Sequence, residues 1–312
     1  MRYVWCIAAI LFSACGSGPG ETFEAGVTAL RQEAYAQADS IFTQVIAEDG
    51  DELAAAYNNR AFARQRLLQY EKALQDAERA IQLEDDNAKY YITRGEIYYA
   101  MGQMEEATAD AERAIALDKF YVDAFYFLSS IRLAIGEYPE AIRALNKALE
   151  IDPGFTLAKH QRIVTYIQQG KFENALYESN KLIDEGALAP IVFRNRGYTY
   201  LQMGKPEKAA EDFEKALKID DSDAIAKNNL GYAHYLMGDT TEGLKMIQTA
   251  MQQQADNPYA YKYRGLIYHA TGKVDSACQD WQTAQDLLQS KWPAYAIQQD
   301  TLVDRLINTH CL

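Results

Sequence analysis

The chain has 312 residues, 48% of them hydrophobic, enough apolar side chain for a sizeable core and a length that would ordinarily make about two domains. Its formal net charge is −13, which repels phosphate-rich partners and argues against a DNA or RNA ligand. Tyrosine is the outlier, with 22 copies against 11 Phe and 3 Trp, and it combines a large contact area with a polar tip that suits packed helix faces and binding surfaces alike.

At the N-terminus Arg2 is the only early charge, and Val4 to Phe12 form an apolar run too short to span a bilayer as a helix. The stretch Leu11-Phe12-Ser13-Ala14-Cys15 resembles a bacterial lipobox, with Phe12 where Leu is usual. That resemblance implies a signal peptide over residues 1–14, cleavage before Cys15, and membrane attachment through a lipid on Cys15. The other reading is an ordinary secretory signal cleaved nearby, with no lipid. Residues 15–21 read as a flexible tether, since Gly16 to Gly20 are glycine, serine and proline only. Gly16, in place of an aspartate after the cysteine, implies sorting to the outer membrane, on its periplasmic or its surface side.

From there the sequence repeats. Gly102, Gly136, Gly170, Gly204, Gly238 and Gly272 stand 34 residues apart, and a fixed period of this size marks a solenoid. A second series of small residues runs through Ala73, Ala107, Ala141, Ala175, Ala209, Gly243 and Ala277, and a third through Ala80, Ala114, Ala148, Leu182, Ala216, Ala250 and Ala284. Apolar residues recur at helical spacing on both sides of each glycine, so a unit is a helix, a tight turn and a second helix. Another small residue marks the middle of most first helices: Gly26, Ala61, Gly95, Ser129, Gly197, Gly231 and Gly265. It is expected to face the small residue of the second helix and let the two backbones approach.

The pattern resembles the tetratricopeptide repeat family, most closely over Asn87 to Lys119, Asp123 to Pro153 and Pro190 to Asp221. Within the second of these, Gly-Glu-Tyr-Pro-Glu-Ala-Ile at 136–142 and Ile-Asp-Pro at 151–153 follow the family pattern. Repeats are expected to start near residues 20, 54, 88, 122, 156, 190, 224 and 258, giving an all-α solenoid of about eight hairpins over residues 22–291. The first repeat is one residue longer, with Glu33 at the glycine position, and the fifth is degenerate, with Ile163 for the small residue and Ser179 for a packing apolar one. The resemblance implies a right-handed superhelix whose first helices line an inner groove. Residues 292–312, with Tyr295, Leu302, Leu306 and Ile307 at helical spacing, read as a capping helix.

Motifs for chemistry are missing. His160, His234, His269 and His310 have no metal-ligand spacing, and there is no Cys-x-x-Cys, nucleophile elbow, phosphate loop or calcium loop. Acid pairs such as Glu105-Glu106 and Asp220-Asp221 read as solvated turns and second-helix starts. The sequence therefore reads as a non-enzyme, with no catalytic residues, no metal and no cofactor. Cys278 starts the last second helix and Cys311 ends the cap; in an exported protein with an antiparallel cap the two would pair as a disulfide. Ala277-Cys278-Gln279-Asp280-Trp281 with a terminal cysteine also resembles the ending of many bacterial tetratricopeptide proteins. One buried thiol and one loose tail thiol is the other reading.

In this family the ligand usually lies along the first helices, at their second, fifth, sixth, ninth, twelfth and thirteenth positions. Carried over, those positions nominate Asn59 near the start, and Arg194, Asn195, Tyr198, Asn228, Asn229, Tyr232, Tyr235, Tyr259, Lys262 and Tyr263 in repeats six to eight. The carboxamides could pair with the backbone of an extended peptide, the tyrosines offer flat surface, and Arg194 and Lys262 could meet a carboxylate. A set that clamps a C-terminal carboxylate, as some family members have, is not reproduced. The expected function is a membrane-anchored scaffold that binds a protein or peptide partner, in envelope assembly, secretion or recruitment of complexes. The rival is an envelope lipoprotein that stacks sugars on the groove tyrosines.

Overall fold

The computed structural model describes residues 19–48, 52–291 and 301–311, and every regular element among them is a helix. The expected signal peptide, Cys15, Tyr295 and the start of the cap lie outside the described residues. No helix among the described residues is long and apolar enough to cross a membrane.

The first compact unit ends at Ile97 and contains α1 (Pro19–Arg31), α2 (Tyr35–Ala47), α3 (Leu53–Arg66), α4 (Tyr70–Leu83) and most of α5 (Ala88–Ala100). Since α1 begins at Pro19, the last residues of the expected tether are already helical. The second unit holds α6 (Met104–Leu117), α7 (Val122–Ala134), α8 (Tyr138–Ile151), α9 (Thr156–Gln168), α10 (Phe172–Asp184), α11 (Pro190–Gln202) and α12 (Pro206–Ile219). It continues with α13 (Ala224–Leu236), α14 (Thr240–Gln253), α15 (Pro258–Ala270), α16 (Val274–Lys291) and the cap α17 (Thr301–His310). First helices begin within one residue of the starts expected from the period.

The turn inside hairpins three to eight follows from the 34-residue glycine. After α11 the Lys205 N–H donates to the Tyr200 carbonyl (2.9 Å) and the Gly204 N–H to that of Leu201 (3.0 Å), a Schellman closure with Gly204 at φ 67°. The first two hairpins make the same closure with Glu33 at φ 57° and Leu68 at φ 60°, so the bond pattern imposes the left-handed residue even where a side chain disfavours it.

Inside the hairpin the mid-helix small residue meets two things. As expected it lies against the second-helix backbone: a methyl group added at Gly231 would stand 2.7 Å from the Gly243 carbonyl oxygen, and one at Gly197 would stand 3.1 Å from that of Ala209. It also receives a large side chain from sixteen residues on. Added methyls at Gly26, Gly197 and Gly265 would stand 2.7 Å from Phe42, 2.8 Å from Phe213 and 2.4 Å from Trp281. The fifth repeat reverses the two sizes, with Ile163 on the first helix and Ser179 on the second, both fully buried. Its degeneracy is therefore an exchange of volume across the hairpin, and Ser179 satisfies its hydroxyl on the Ala175 carbonyl (2.7 Å).

A second sixteen-residue relation is ionic. Arg60–Asp76 (2.7 Å), Arg162–Glu178 (2.8 Å), Arg196–Asp212 (2.6 Å) and Arg264–Asp280 (2.7 Å) join the helices of a hairpin, with Asp76, Asp212 and Asp280 buried. The same arginine reaches back to the preceding second helix: Arg162 donates to Asn146 (2.9 Å) and Arg196 to Asn180 (2.7 Å). The fork on Asp212 holds the Arg196 guanidinium even more firmly charged than usual. In the first, fourth and seventh repeats the equivalent pairs are Ala25 and Ile41, Leu128 and Ala144, and Leu230 and Met246, so arginine and acid are present together or absent together.

At the C-terminal end, α17 lays Val303, Leu306 and Ile307 on Ala277, Trp281 and Ala284 of α16. Cys278 and Cys311 are joined by a disulfide, their Cα atoms 5.6 Å apart across a sequence separation of 33. A crosslink over a loop of that size restricts the unfolded chain by about 4 kcal/mol and so holds the cap on its hairpin.

Candidate functional site: a cavity on the first helices of repeats five to eight

Four first helices of the second unit contribute side chains to one cavity of about 170 Å³. Val164, Ile167 and Gln168 come from α9, Arg194, Asn195 and Tyr198 from α11, Ile225 and Asn229 from α13, and Tyr259 and Tyr263 from α15. No second helix lines it. Residues three, four and seven apart share a helix face, which is why Asn195 and Tyr198, or Ile225 and Asn229, reach the same space.

The walls are largely apolar and aromatic, and the carboxamides of Gln168, Asn195 and Asn229 are set into them. Asn195 buries its Nδ2 without a hydrogen-bond partner, and Asn229, only 6% exposed, lines the same cavity. A buried amide left unpaired costs about 1–3 kcal/mol. The Asn195 amide is therefore poised for an acceptor brought from outside, with the Asn229 carboxamide on the same cavity.

The cation at the cavity is already used. Arg194 pairs with the buried Asp223 (2.7 Å), which also caps α13 by accepting from the Ala226 N–H (2.9 Å). A second, polar concavity of about 530 Å³ shares Arg194 and Ile225 with the first and is otherwise lined by Asp220, Ser222, Asp223, Gln253, Gln254 and their neighbours. The Ser222 hydroxyl and backbone N–H donate to Asp220 and hold its carboxyl below the usual carboxylate range.

Of the expected groove residues, Arg194, Asn195, Tyr198, Asn229, Tyr259 and Tyr263 therefore meet at one place. Asn228 does not: it is wholly buried, with neither amide atom hydrogen-bonded, because neighbours on a helix point about 100° apart and Asn229 takes the cavity. Tyr232 lies flat on Tyr263, ring centres 4.2 Å apart, with Tyr235 at 5.9 Å, so these two rings serve packing between hairpins. Burial, with Tyr235 adding to it, pushes the Tyr232 phenol above its usual range. Lys262 stands 5.8 Å over the Tyr259 ring and does not line the cavity. Asn59 belongs to the first unit and is half-buried on α3. The residues missed are Val164, Ile167, Gln168 and Ile225. They occupy the same inner positions; Val164, Ile167 and Ile225 carry no polar atom to mark them, and Gln168 lies in the degenerate fifth repeat.

Nearby, burial and then the charge of Lys159 push the His160 imidazole below its usual range, which keeps it neutral at pH 7. No three metal-ligating side chains stand together among the described residues.

Tetratricopeptide repeat family profiles match residues 92–154 and 190–223. The chain is a tetratricopeptide-repeat protein. Its array superposes on solved members of that fold. A tetratricopeptide repeat protein from Parabacteroides merdae is 16% identical, with a TM-score of 0.59 over 94% of this chain and 99% of that one. Yeast Tom70 is 15% identical, with a TM-score of 0.64 over 96% and 66%. The Cut9–Hcn1 hetero-tetramer of APC/C supplies a third at 14% identity and a TM-score of 0.61, over 92% and 55%. No curated protein matches the sequence. The tetratricopeptide fold is that of a scaffold for protein–protein interaction.

Proposed function

We propose that this tetratricopeptide array is a lipid-anchored scaffold of the bacterial cell envelope that holds an extended segment of a partner protein along the first helices of repeats five to eight. The observation that carries the binding site is the unpaired buried amide of Asn195, beside the carboxamide of Asn229, in a largely apolar and tyrosine-lined cavity. An extended peptide presents a carbonyl and an N–H at regular intervals, which is what two carboxamides on neighbouring helices can pair with, while its side chains fill the apolar walls. A sugar would instead need open ring faces, and one face of Tyr232 is covered by Tyr263. The envelope setting rests on the N-terminal lipobox resemblance and on the Cys278–Cys311 disulfide, which suits an oxidising compartment.

Site-specific photocrosslinking in intact cells tests the reading. A photoreactive residue replacing Tyr198, at the cavity, is expected to capture a partner in the membrane fraction; one replacing Tyr177, 67% exposed on the second helix α10, is expected not to. Cys15→Ser is expected to release the protein from membranes while leaving the crosslink intact. Capture from Tyr177 alone would move the partner off this face, and a Cys15→Ser protein still bound to membranes would end the lipid anchor.

A further inference from the structure

We propose that the partner segment carries a lysine or arginine within two positions of a bulky apolar residue, the apolar side chain entering the tyrosine-lined cavity and the cation lying on Asp220 in the polar concavity beside it. The inference rests on the array holding an extended peptide at this face, and it adds which peptides fit. The two hollows adjoin, since Arg194 of α11 and Ile225 of α13 line both. Side chains two apart along an extended chain lie on the same side, about 7 Å from each other. One segment crossing the shared wall therefore puts one side chain into each hollow. At the cavity the buried, unpaired Nδ2 of Asn195 is ready for a backbone carbonyl, and Val164, Ile167, Tyr198 and Tyr263 receive the apolar side chain.

The polar concavity selects the sign of its guest. Its lining sets two carboxylates, Asp220 and Asp223, against one guanidinium, Arg194. Arg194 is occupied by Asp223 (2.7 Å), which is buried and caps α13. Asp220 is left over. It is exposed, and the Ser222 hydroxyl (2.6 Å) and backbone N–H (3.0 Å) both donate to its Oδ1. Those bonds, helped by the charge of Arg194, keep the carboxyl ionised at neutral pH, and Asp220 makes no ion pair of its own among the described residues. Two donors on one oxygen also fix the carboxylate in place, so an incoming cation meets a group already oriented. Lys227 is engaged elsewhere, donating to the Gln253 amide oxygen (3.0 Å) and the Asp221 carbonyl (3.0 Å). An acidic segment fits badly, since it would have to share Arg194 with a buried carboxylate and lie beside Asp220 in a chain of net charge −13.

The test selects random dodecapeptides displayed on phage against the immobilised full mature chain, then measures the recovered peptides by fluorescence anisotropy. Sequences that pair Phe, Tyr, Leu or Ile with Lys or Arg within two positions are expected, and Asn195→Ala with Asn229→Ala should weaken their binding. Asp220→Asn should weaken it by about threefold to fivefold, the scale of one exposed ion pair, and by less at high salt. Asp220→Lys should weaken it by about tenfold, and a peptide with Glu in place of its cation should regain most of that loss on the Asp220→Lys chain. That recovery would also show the variant to be folded. Peptides that depend on Asn195 and Asn229 but carry no such cation, or that bind the parent and the Asp220 variants alike, would overturn this inference and leave the peptide scaffold standing. A library yielding no peptide that depends on the two carboxamides would overturn both.

Discussion

Phe213→Ser is expected to cost the array about 4 kcal/mol, the scale for emptying a fully buried aromatic site. Phe213 fills the space opposite Gly197, where a methyl would stand 2.8 Å from the ring. The converse change, Gly197→Ile, forces a branched side chain into that ring and should cost about 3 kcal/mol. Made together, the two substitutions reproduce the arrangement that repeat five already holds in Ile163 and Ser179, both buried without exposure. The double variant should return to within about 1.5 kcal/mol of the parent, the range for volume-conserving core changes. Urea midpoints of the four proteins measure this. Additive losses would mean that repeat five tolerates its reversed volumes for some reason outside the hairpin.

The second large effect concerns the buried ion pairs. Asp212→Ala leaves Arg196 in the hairpin without its two-pronged partner and should lower stability by about 3 kcal/mol. Replacing both, as Arg196→Leu with Asp212→Met, copies the apolar pair Leu230 and Met246 of the next repeat, which packs there beside Phe213. Desolvating an ion pair offsets most of its own attraction, so the apolar pair should stand within about 1 kcal/mol of the parent or above it. The all-or-none occurrence of arginine and acid along the repeats has this explanation: losing one member is costly, losing both is nearly neutral. A double variant as unstable as Asp212→Ala would contradict it, and would assign the arginine's value to its bond with Asn180 on the preceding helix.

Both relations help to explain what could be read from the sequence. The helix starts and turns were legible because one glycine per 34 residues sets a left-handed turn, and even Glu33 was found at such a position. What stayed hidden were pairings across the turn. Gly197 with Phe213 and Arg196 with Asp212 are sixteen residues apart, and each member taken singly looks like an ordinary core or surface residue. At the cavity, six of the nominated residues meet because inner positions of first helices share a face. Asn228 was lost to the core since its neighbour took that face, and Arg194 proved committed to Asp223, a partner 29 residues away that composition cannot reveal. The apolar wall from α9 follows the same positional rule and was passed over for lacking a polar atom.

The central claim is that Asn195 and Asn229 present their amides to a ligand in the cavity. The Asn195 Nδ2 is left unpaired within the chain, so Asn195→Ala with Asn229→Ala should leave the urea midpoint close to that of the parent. The partner captured through position 198 is then purified, and its affinity for the parent and the double variant is measured by calorimetry. Two lost hydrogen bonds predict about a 100-fold weaker complex with fold stability retained. Unchanged affinity, or a loss of affinity that merely follows a loss of stability, would contradict the account and return these residues to packing.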